Sequence, residues 1–325
     1  MPPKQVHTKS VAPKAVSAPA STSAHARAGQ RTPPPTVSGR WLLTAAALSI
    51  FAAAFCAWGA LCLLFWQGSW QLLYHPAAAV TRTPSSAGIA FDPVAFATTE
   101  AAEPRLKGWW IPAASGTRYG RFTVLYLHGQ DGNLGDSVEA LAALHGVGLN
   151  VFAFDYRGYG QSQFQRPSET RWLEDANWAL AYLTGTRHIP AGSIILEGTN
   201  LGANLAIKVA AAHPELAGVV LESPIESPMN AVFNDPRAHM VPAHLLLRDR
   251  FETDNAVTAL KIPSLWFEST QPPGATSLPE KPVAFQRAGS SKILVWLASP
   301  SDSRKETADA LSRWLDDLPA KAGNS

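Results

Sequence analysis

The sequence predicts an α/β protein with a mostly parallel central sheet, helices on both faces, and an N-terminal transmembrane helix before the domain. Three observations predict this class. Short apolar runs alternate with helical patterns from about Leu106 onward, glycine-containing loops follow three of these runs, and the 26 residues from Trp41 to Trp66 include no Asp, Glu, Lys, Arg or His. A length of 325 residues with ordinary composition excludes fibrous and wholly disordered classes.

Residues 1–40 form a basic tail rich in Pro, Ala and Ser. This stretch holds six Lys or Arg and no acidic residue, so a chain of formal charge +2 leaves −4 for the remainder. Few large apolar side chains are present to offset the entropy of ordering, which predicts disorder. The acidic remainder argues against nucleic-acid binding by the folded part.

The apolar run at residues 41–66 is long enough to cross a bilayer, which needs about 20 residues in a helix. Tryptophans lie at both ends, where indole rings favour the membrane interface. The alternatives are a cleaved signal peptide and a buried core helix. Positive charge precedes the run and none follows until Arg82, which predicts a cytoplasmic N-terminus and an extracytoplasmic C-terminal domain. Both cysteines, Cys56 and Cys62, lie in the run, so the domain after it has no disulfide.

Residues 67–105 are expected to form a membrane-proximal segment and the start of the sheet, and residues 106–320 the main domain. The strands are predicted at 123–127, 150–154, 193–197, 218–222, 264–267 and 292–297. The helices are predicted at 136–145, 170–183, 201–212 and 306–315. Prolines in residues 224–251 interrupt the alternation and indicate a helical excursion.

Three loops follow predicted strands in a distinctive order. They read LYLHGQDGN at 125–133, FDYRGYGQS at 154–162 and LEGTNLG at 196–202. With PSE at 167–169, LESP at 221–224 and LLLRDRF at 245–251, this series resembles the α/β-hydrolase superfamily, and closely its membrane-anchored, ABHD13/Bem46-like branch. The resemblance spans roughly residues 70–318 and implies an α/β-hydrolase fold with an oxyanion hole and a sharp turn, the nucleophile elbow, that presents a catalytic serine.

The resemblance implies a role for several loop residues. Backbone N–H groups of Gln130 and Leu201 are expected to form the oxyanion hole, a function that does not require a particular side chain. His128 and Gly129 are expected beneath the hole, with His128 as a packing and hydrogen-bonding residue. Gly198 and Gly202 flank the elbow and are expected to allow close helix–strand approach; alternatively these glycines only permit tight turns.

Asn200 occupies the apex where the resemblance implies a serine. Asparagine tolerates positive φ, so the turn is expected to persist, but a carboxamide is not a usable nucleophile. Thr199 precedes the apex, where its side chain is expected to point elsewhere. Three serines near the predicted pocket are interpreted as turn and cap residues: Ser162, Ser223 and Ser227.

The resemblance also implies an acid and a base for the triad, and at both positions this sequence has other residues. The loop expected to carry the acid reads ESTQPP from Glu268, with Pro272 at the aspartate position. The loop expected to carry the base reads ASPSDSRKE, and no histidine occurs after His244. Glu268 and Asp302 are interpreted as solvated loop residues. His213, His239 and His244 lie elsewhere in the chain and are potential bases only in a rearranged fold.

These patterns favour a membrane-anchored α/β-hydrolase-fold protein without serine-hydrolase catalysis. Its expected partners are the membrane and either a small acyl or carboxylate ligand or a protein. The alternative is an active esterase or acyl hydrolase that uses unconventional residues, and a purely structural membrane protein is a third interpretation. No cofactor, metal-ligand spacing or phosphate loop is indicated. Trp109 and Trp110 either line the pocket or fill the core, and core filling is the preferred interpretation.

Overall fold

The computed structural model describes residues 37–98, 103–269, 280–297 and 303–318. Of the predicted tail, residues 1–36 therefore lie outside the described part. The chain divides into two units, Met1–Ala54 and Phe55–Ser325. Helix α1 (Gly39–Gly68) begins in the first unit and ends in the second.

Helix α1 follows from the apolar run that the sequence predicts to be helical. Within Gly39–Leu72, which includes the 3₁₀ turn after the helix, the most apolar 18 residues have a mean hydropathy of 2.2, and 6% of them are buried. It is the one helix among the described residues that is long and apolar enough to cross a membrane. The finding matches a membrane-spanning helix in length and composition, and it does not fix the orientation.

An eight-stranded sheet forms the centre of the second unit, in the order β10-β9-β8-β7-β4-β6-β3-β2. Strands β2 and β3 pair antiparallel, as do β3 and β6, and the remaining pairs are parallel. A separate two-stranded pair joins β1 to β5. The strands are β1 (His75–Pro76), β2 (Asp92–Thr98), β3 (Pro104–Ile111), β4 (Thr123–Leu127), β5 (Asp131–Gly132), β6 (Asn150–Asp155), β7 (Ile194–Thr199), β8 (Gly218–Glu222), β9 (Ser264–Ser269) and β10 (Lys292–Leu297).

Helices cover both faces of this sheet, as predicted. Buried apolar residues form one core cluster on each face, and the five residues of β4 are buried because both faces are covered. The helices are α2 (Val138–Val147), α3 (Glu169–Ala181), α4 (Leu201–Ala212), α5 (Pro228–Phe233), α6 (Ala243–Leu246), α7 (Asp254–Ala259), α8 (Val283–Arg287) and α9 (Ser303–Asp317).

The sequence patterns locate the parallel strands to within two residues but do not predict the antiparallel pair β2–β3. Proline, lysine and glycine interrupt the apolar pattern of β3, so its sequence lacks the regular alternation that predicts a strand. Trp109 on β3 is buried against Phe91, which agrees with core filling, and Trp110 lies under the guanidinium of Arg187. The excursion at residues 224–251 contains α5, a 3₁₀ turn at Pro236–His239 and α6.

Candidate functional site

The turn between β7 and α4 has the backbone geometry of a nucleophile elbow. Asn200 adopts φ 50° and ψ −120°, a conformation that is rare for residues other than glycine. A Cβ on Gly198 would lie 2.3 Å from the carbonyl oxygen of Gly202, and a Cβ on Gly202 would lie 2.3 Å from that of Leu127. Only glycine fits at both flanking positions, because the backbones of strand and helix touch there.

Asn200 projects its side chain from the apex of this turn into an exposed position. The loop after β4 lies beside it, since a Cβ on Gly129 would be 3.5 Å from the Asn200 Cβ and Nδ2 atoms. Within the described ranges, the Asn200 carboxamide forms no hydrogen bond with any side chain. The turn thus presents an amide where the geometry of the fold places a reactive group.

Gln130 blocks one of the two predicted oxyanion-hole donors. Its side-chain oxygen Oε1 accepts a hydrogen bond from the Leu201 backbone N–H at 3.2 Å. Its backbone carbonyl accepts from the Tyr159 hydroxyl at 2.8 Å and from the His75 backbone N–H at 3.0 Å, which fixes the loop. The side-chain oxygen of Gln130 therefore lies where a substrate oxygen would accept a hydrogen bond from the Leu201 N–H.

A histidine and an aspartate adjoin Gln130, and the sequence analysis did not identify either. His75 Nδ1 lies 2.7 Å from Asp131 Oδ1, and the Gln130 side chain donates from Nε2 to Asp131 Oδ2 at 3.0 Å. Both members of the pair are more than half exposed, at 57% and 64%. Pairing of β1 with β5 brings these residues together. The only sequence signal was the polar Asp131 within the loop HGQDGN.

His128 lies beneath this loop as a buried, neutral ring. Its Nδ1–H donates to the Gly129 carbonyl at 2.8 Å, and the ring contacts Tyr156 at a tilted angle and Tyr159 and Trp172 edge-to-face. Burial lowers the pKa of His128 to about 4, although the bond to Gly129 opposes the shift. Burial also raises the pKa of Asp155, whose Oδ1 is 3.6 Å from Nε2, to about 7. Desolvation opposes a charged pair here, and the ring packs among the surrounding aromatic side chains.

The residues with hydroxyl groups near the elbow lie in a strand, in hydrogen-bonded loops or at turns. Thr199 is the last residue of β7 and interacts with Tyr126 on the neighbouring strand β4. Ser162 is buried and donates to the Asp155 carbonyl, while its oxygen accepts from the Lys107 backbone N–H. Ser223 turns the chain after β8 with φ 47°. Ser227 is the N-cap residue of α5.

The alternative bases are engaged elsewhere. His213 contacts Glu215 and Asn177, His239 contacts the Phe233 carbonyl, and His244 stacks on the Phe233 ring. Glu268 is not a solvated loop residue as expected: it lies within β9 and is half-buried, and burial raises its pKa to about 7, with Glu226 adding to the effect. Asp302, the 270–272 part of the acid loop and residues 298–302 of the base loop lie outside the described residues.

Among the described residues, no group of three or more His, Cys, Asp or Glu side chains is placed to hold an ion. The site consists of backbone donors, amides and one exposed imidazole–carboxylate pair.

Known proteins are similar to this chain in sequence and in structure. The family model described as "Serine aminopeptidase, S33" matches residues 120–267. The uncharacterized protein Rv2307c of Mycobacterium tuberculosis is 32% identical over 203 residues, which cover 62% of this chain and 69% of that protein. Alpha/beta hydrolase domain-containing protein 17C of Mus musculus is 31% identical over 143 residues, covering 44% and 43%. The chain belongs to the α/β-hydrolase superfamily.

Solved α/β-hydrolase structures agree in fold. The Pyrococcus furiosus esterase Pf2001 superimposes with a TM-score of 0.54 at 20% identity, over 75% of this chain and 98% of the esterase. At that identity the likeness establishes the fold and no activity. Activity within the superfamily depends on the elbow, the oxyanion hole and the triad. This chain carries Asn200 at the elbow and the Gln130–Leu201 contact at the hole.

Proposed function

We propose that this protein is a membrane-anchored α/β-hydrolase domain that binds a ligand or partner without serine-hydrolase catalysis. The observation that carries the proposal is the contact between Gln130 Oε1 and the Leu201 N–H beside an asparagine at the elbow apex. Covalent acyl transfer needs a nucleophile and a base to activate it. Asn200 supplies no nucleophile. The order of the sequence motifs supports a place in the membrane-anchored branch of the superfamily.

Anchoring is supported by α1 and by the charges around it. The helix has the length and hydropathy of a span, and six basic residues precede or begin it. Positive charge tends to be retained on the cytoplasmic side, which supports a cytoplasmic position for residues 1–40 and an extracytoplasmic position for the domain from residue 106. The segment 67–105 then joins the helix to the sheet at the membrane surface.

The Gln130 side chain supports a binding role because it mimics what the hole would hold. Its amide oxygen accepts the Leu201 N–H as the oxygen of an acyl or carboxylate group would. Rotation of that side chain frees the donor at the N-terminus of α4, where negative charge is stabilised. A small acyl or carboxylate ligand is therefore the proposed occupant. A protein partner would instead contact the outer helices or residues 224–251.

Fluorophosphonate labelling of the full-length protein tests the proposal, because this probe reacts with activated serines. We expect no labelled serine in the native protein. Asn200→Ser is expected to hydrolyse p-nitrophenyl acetate no faster than Asn255→Ser, a matched change at an exposed position of α7. A labelled serine in the native chain, or rapid turnover by Asn200→Ser alone, would show that an activating base is present.

A second candidate function is hydrolysis through unconventional residues, and the His75–Asp131 pair favours it. A carboxylate that orients an imidazole is the arrangement of a general base, and this one is linked through Gln130 to the Leu201 donor. Ester hydrolysis by the native protein that His75→Gln abolishes, while Thr199→Ala leaves it intact, would support this candidate. Absence of turnover in the native protein would exclude it.

A further inference from the structure

A cleft lies where the end of α1 meets the domain. Ser69, Trp70 and Leu73 form one wall, just after the helix, and the other wall carries Arg166, Arg171 and Arg248. The cleft encloses about 60 Å³. None of its lining residues belongs to the elbow or to the Gln130–Leu201 contact.

Two of the three arginines lie over tryptophan rings. Arg248 lies with Cζ 3.9 Å from the centre of the Trp66 ring, and Arg166 lies 5.6 Å from that of Trp70. Neither forms an ion pair within the described ranges. Burial and then the charge of Arg248 lower the pKa of Arg166, and the charge of Asp249 opposes this shift.

The remaining charges leave the cleft positive. Arg171 donates to the Arg166 carbonyl at 3.0 Å and so holds the loop in place. Asp249 is the one acid on the lining, and it is partly buried. Three cations against one carboxylate give a net positive site that an anion would neutralise.

The cleft also lies at the C-terminal end of the apolar helix. Trp66 and Trp70 are at the end of the apolar helix, where indole rings favour the membrane interface. Trp58 donates from Nε1 to the Met240 carbonyl at 3.2 Å, and it lies about 12 Å back along the helix from Trp66. Residues 224–251 therefore run beside the last turns of α1. They expose Met240 (61%) and Leu245 (82%), large apolar side chains that water disfavours.

We propose that this cleft binds the phosphate of an anionic phospholipid, with Arg166 and Arg248 as its principal contacts. Guanidinium groups match phosphate oxygens in a two-pronged geometry, and Trp66 and Trp70 hold them at the interface. Met240 and Leu245 then contact the acyl chains. The assignment rests on the anchoring part of the proposed function, because only an inserted α1 places the cleft at the headgroups.

The test is native mass spectrometry of the full-length protein in detergent, titrated with phosphatidylglycerol or phosphatidylcholine. We expect phosphatidylglycerol to bind in preference. Arg166→Gln/Arg248→Gln is expected to weaken it by well over tenfold, and the corresponding lysine double variant by less, because lysine keeps charge but loses the fork. The matched control is Arg121→Gln/Arg187→Gln, whose guanidinium groups rest on rings elsewhere. It should bind like the native protein.

Three outcomes would overturn the assignment. General attraction contributes about 1 kcal/mol, or roughly fivefold, per basic residue, so equal losses in both glutamine doubles would indicate charge alone. Equal binding of both lipids would remove the anionic preference. Complete displacement by millimolar inorganic phosphate would identify a site for a soluble anion. Far-UV circular dichroism and melting temperature verify that each variant is folded.

Failure of the anchor is distinguishable from failure of the cleft. Alkaline carbonate releases the protein from membranes only if α1 does not span them, and in that case the anchoring proposal fails. A protein that resists carbonate but shows no loss in the arginine variants retains its anchor and lacks the lipid site.

Discussion

Glu197, on β7 next to the elbow glycine Gly198, is a buried carboxyl group that should control the pH dependence of stability. Its side chain is 8% exposed and Oε2 has no hydrogen-bond partner among the described residues. Burial raises its pKa from 4.5 to about 8, and the nearby Glu222 adds to the shift. Glu197 is therefore protonated in the folded protein at neutral pH.

The sign of the effect follows from which state holds the proton. Between pH 4.5 and about 8 the unfolded chain ionises at Glu197 while the folded chain remains protonated. The unfolded state then binds fewer protons, so the free energy of unfolding falls as pH rises through this range. The loss is about 3 kcal/mol at pH 7 and approaches about 5 kcal/mol above pH 9, from about 1.36 kcal/mol per pH unit.

Glu197→Gln should remove this loss, because glutamine stays neutral in both states. The variant should resemble the native protein at pH 4.5 and melt roughly 6–12 °C higher at pH 7, at about 2–4 °C per kcal/mol. The assay is thermal and urea unfolding of the full-length protein in mild detergent from pH 4.5 to 9. Glu306→Gln, at an exposed site on α9, is the control and should keep the native slope.

An unchanged slope in Glu197→Gln would refute this reasoning. The pH dependence would then belong to another buried carboxyl group, such as Asp155 or Glu222, whose pKa values burial also raises. A lower melting temperature at every pH would instead show that the amide is not accommodated where the protonated acid is.

Two further predictions concern the elbow and its surroundings. Gln130→Ala frees the Leu201 N–H to bind a ligand oxygen. Because one neutral hydrogen bond is worth about 0.5–1.5 kcal/mol, calorimetry should show octanoate binding roughly two- to twelvefold more tightly to this variant than to the native protein. Equal or weaker binding would argue against Gln130 as an internal competitor. Asn204 clamps the loop after β8, donating to the Ile225 carbonyl at 2.8 Å and accepting from its N–H at 2.9 Å. Asn204→Ala should lower the free energy of unfolding by about 2–3 kcal/mol, since it leaves two backbone groups unpaired, and a loss below about 0.5 kcal/mol would show that water replaces the clamp.

The sequence determined much of this architecture by local chemistry. The parallel strands follow from short apolar runs, and the elbow follows from two glycines that flank an apex residue tolerant of positive φ. The identity of Asn200 and the absence of histidine after His244 are also facts of the sequence. These features are readable because each depends on residues close together in the chain.

Only the tertiary structure decided how the site is occupied. The Gln130–Leu201 contact spans 71 residues and the His75–Asp131 pair spans 56. Such contacts depend on strand pairing and side-chain rotamers, which leave no periodic trace in the sequence. The same holds for Arg166 and Arg248, which lie in separate loops and meet only because both pack against the end of α1.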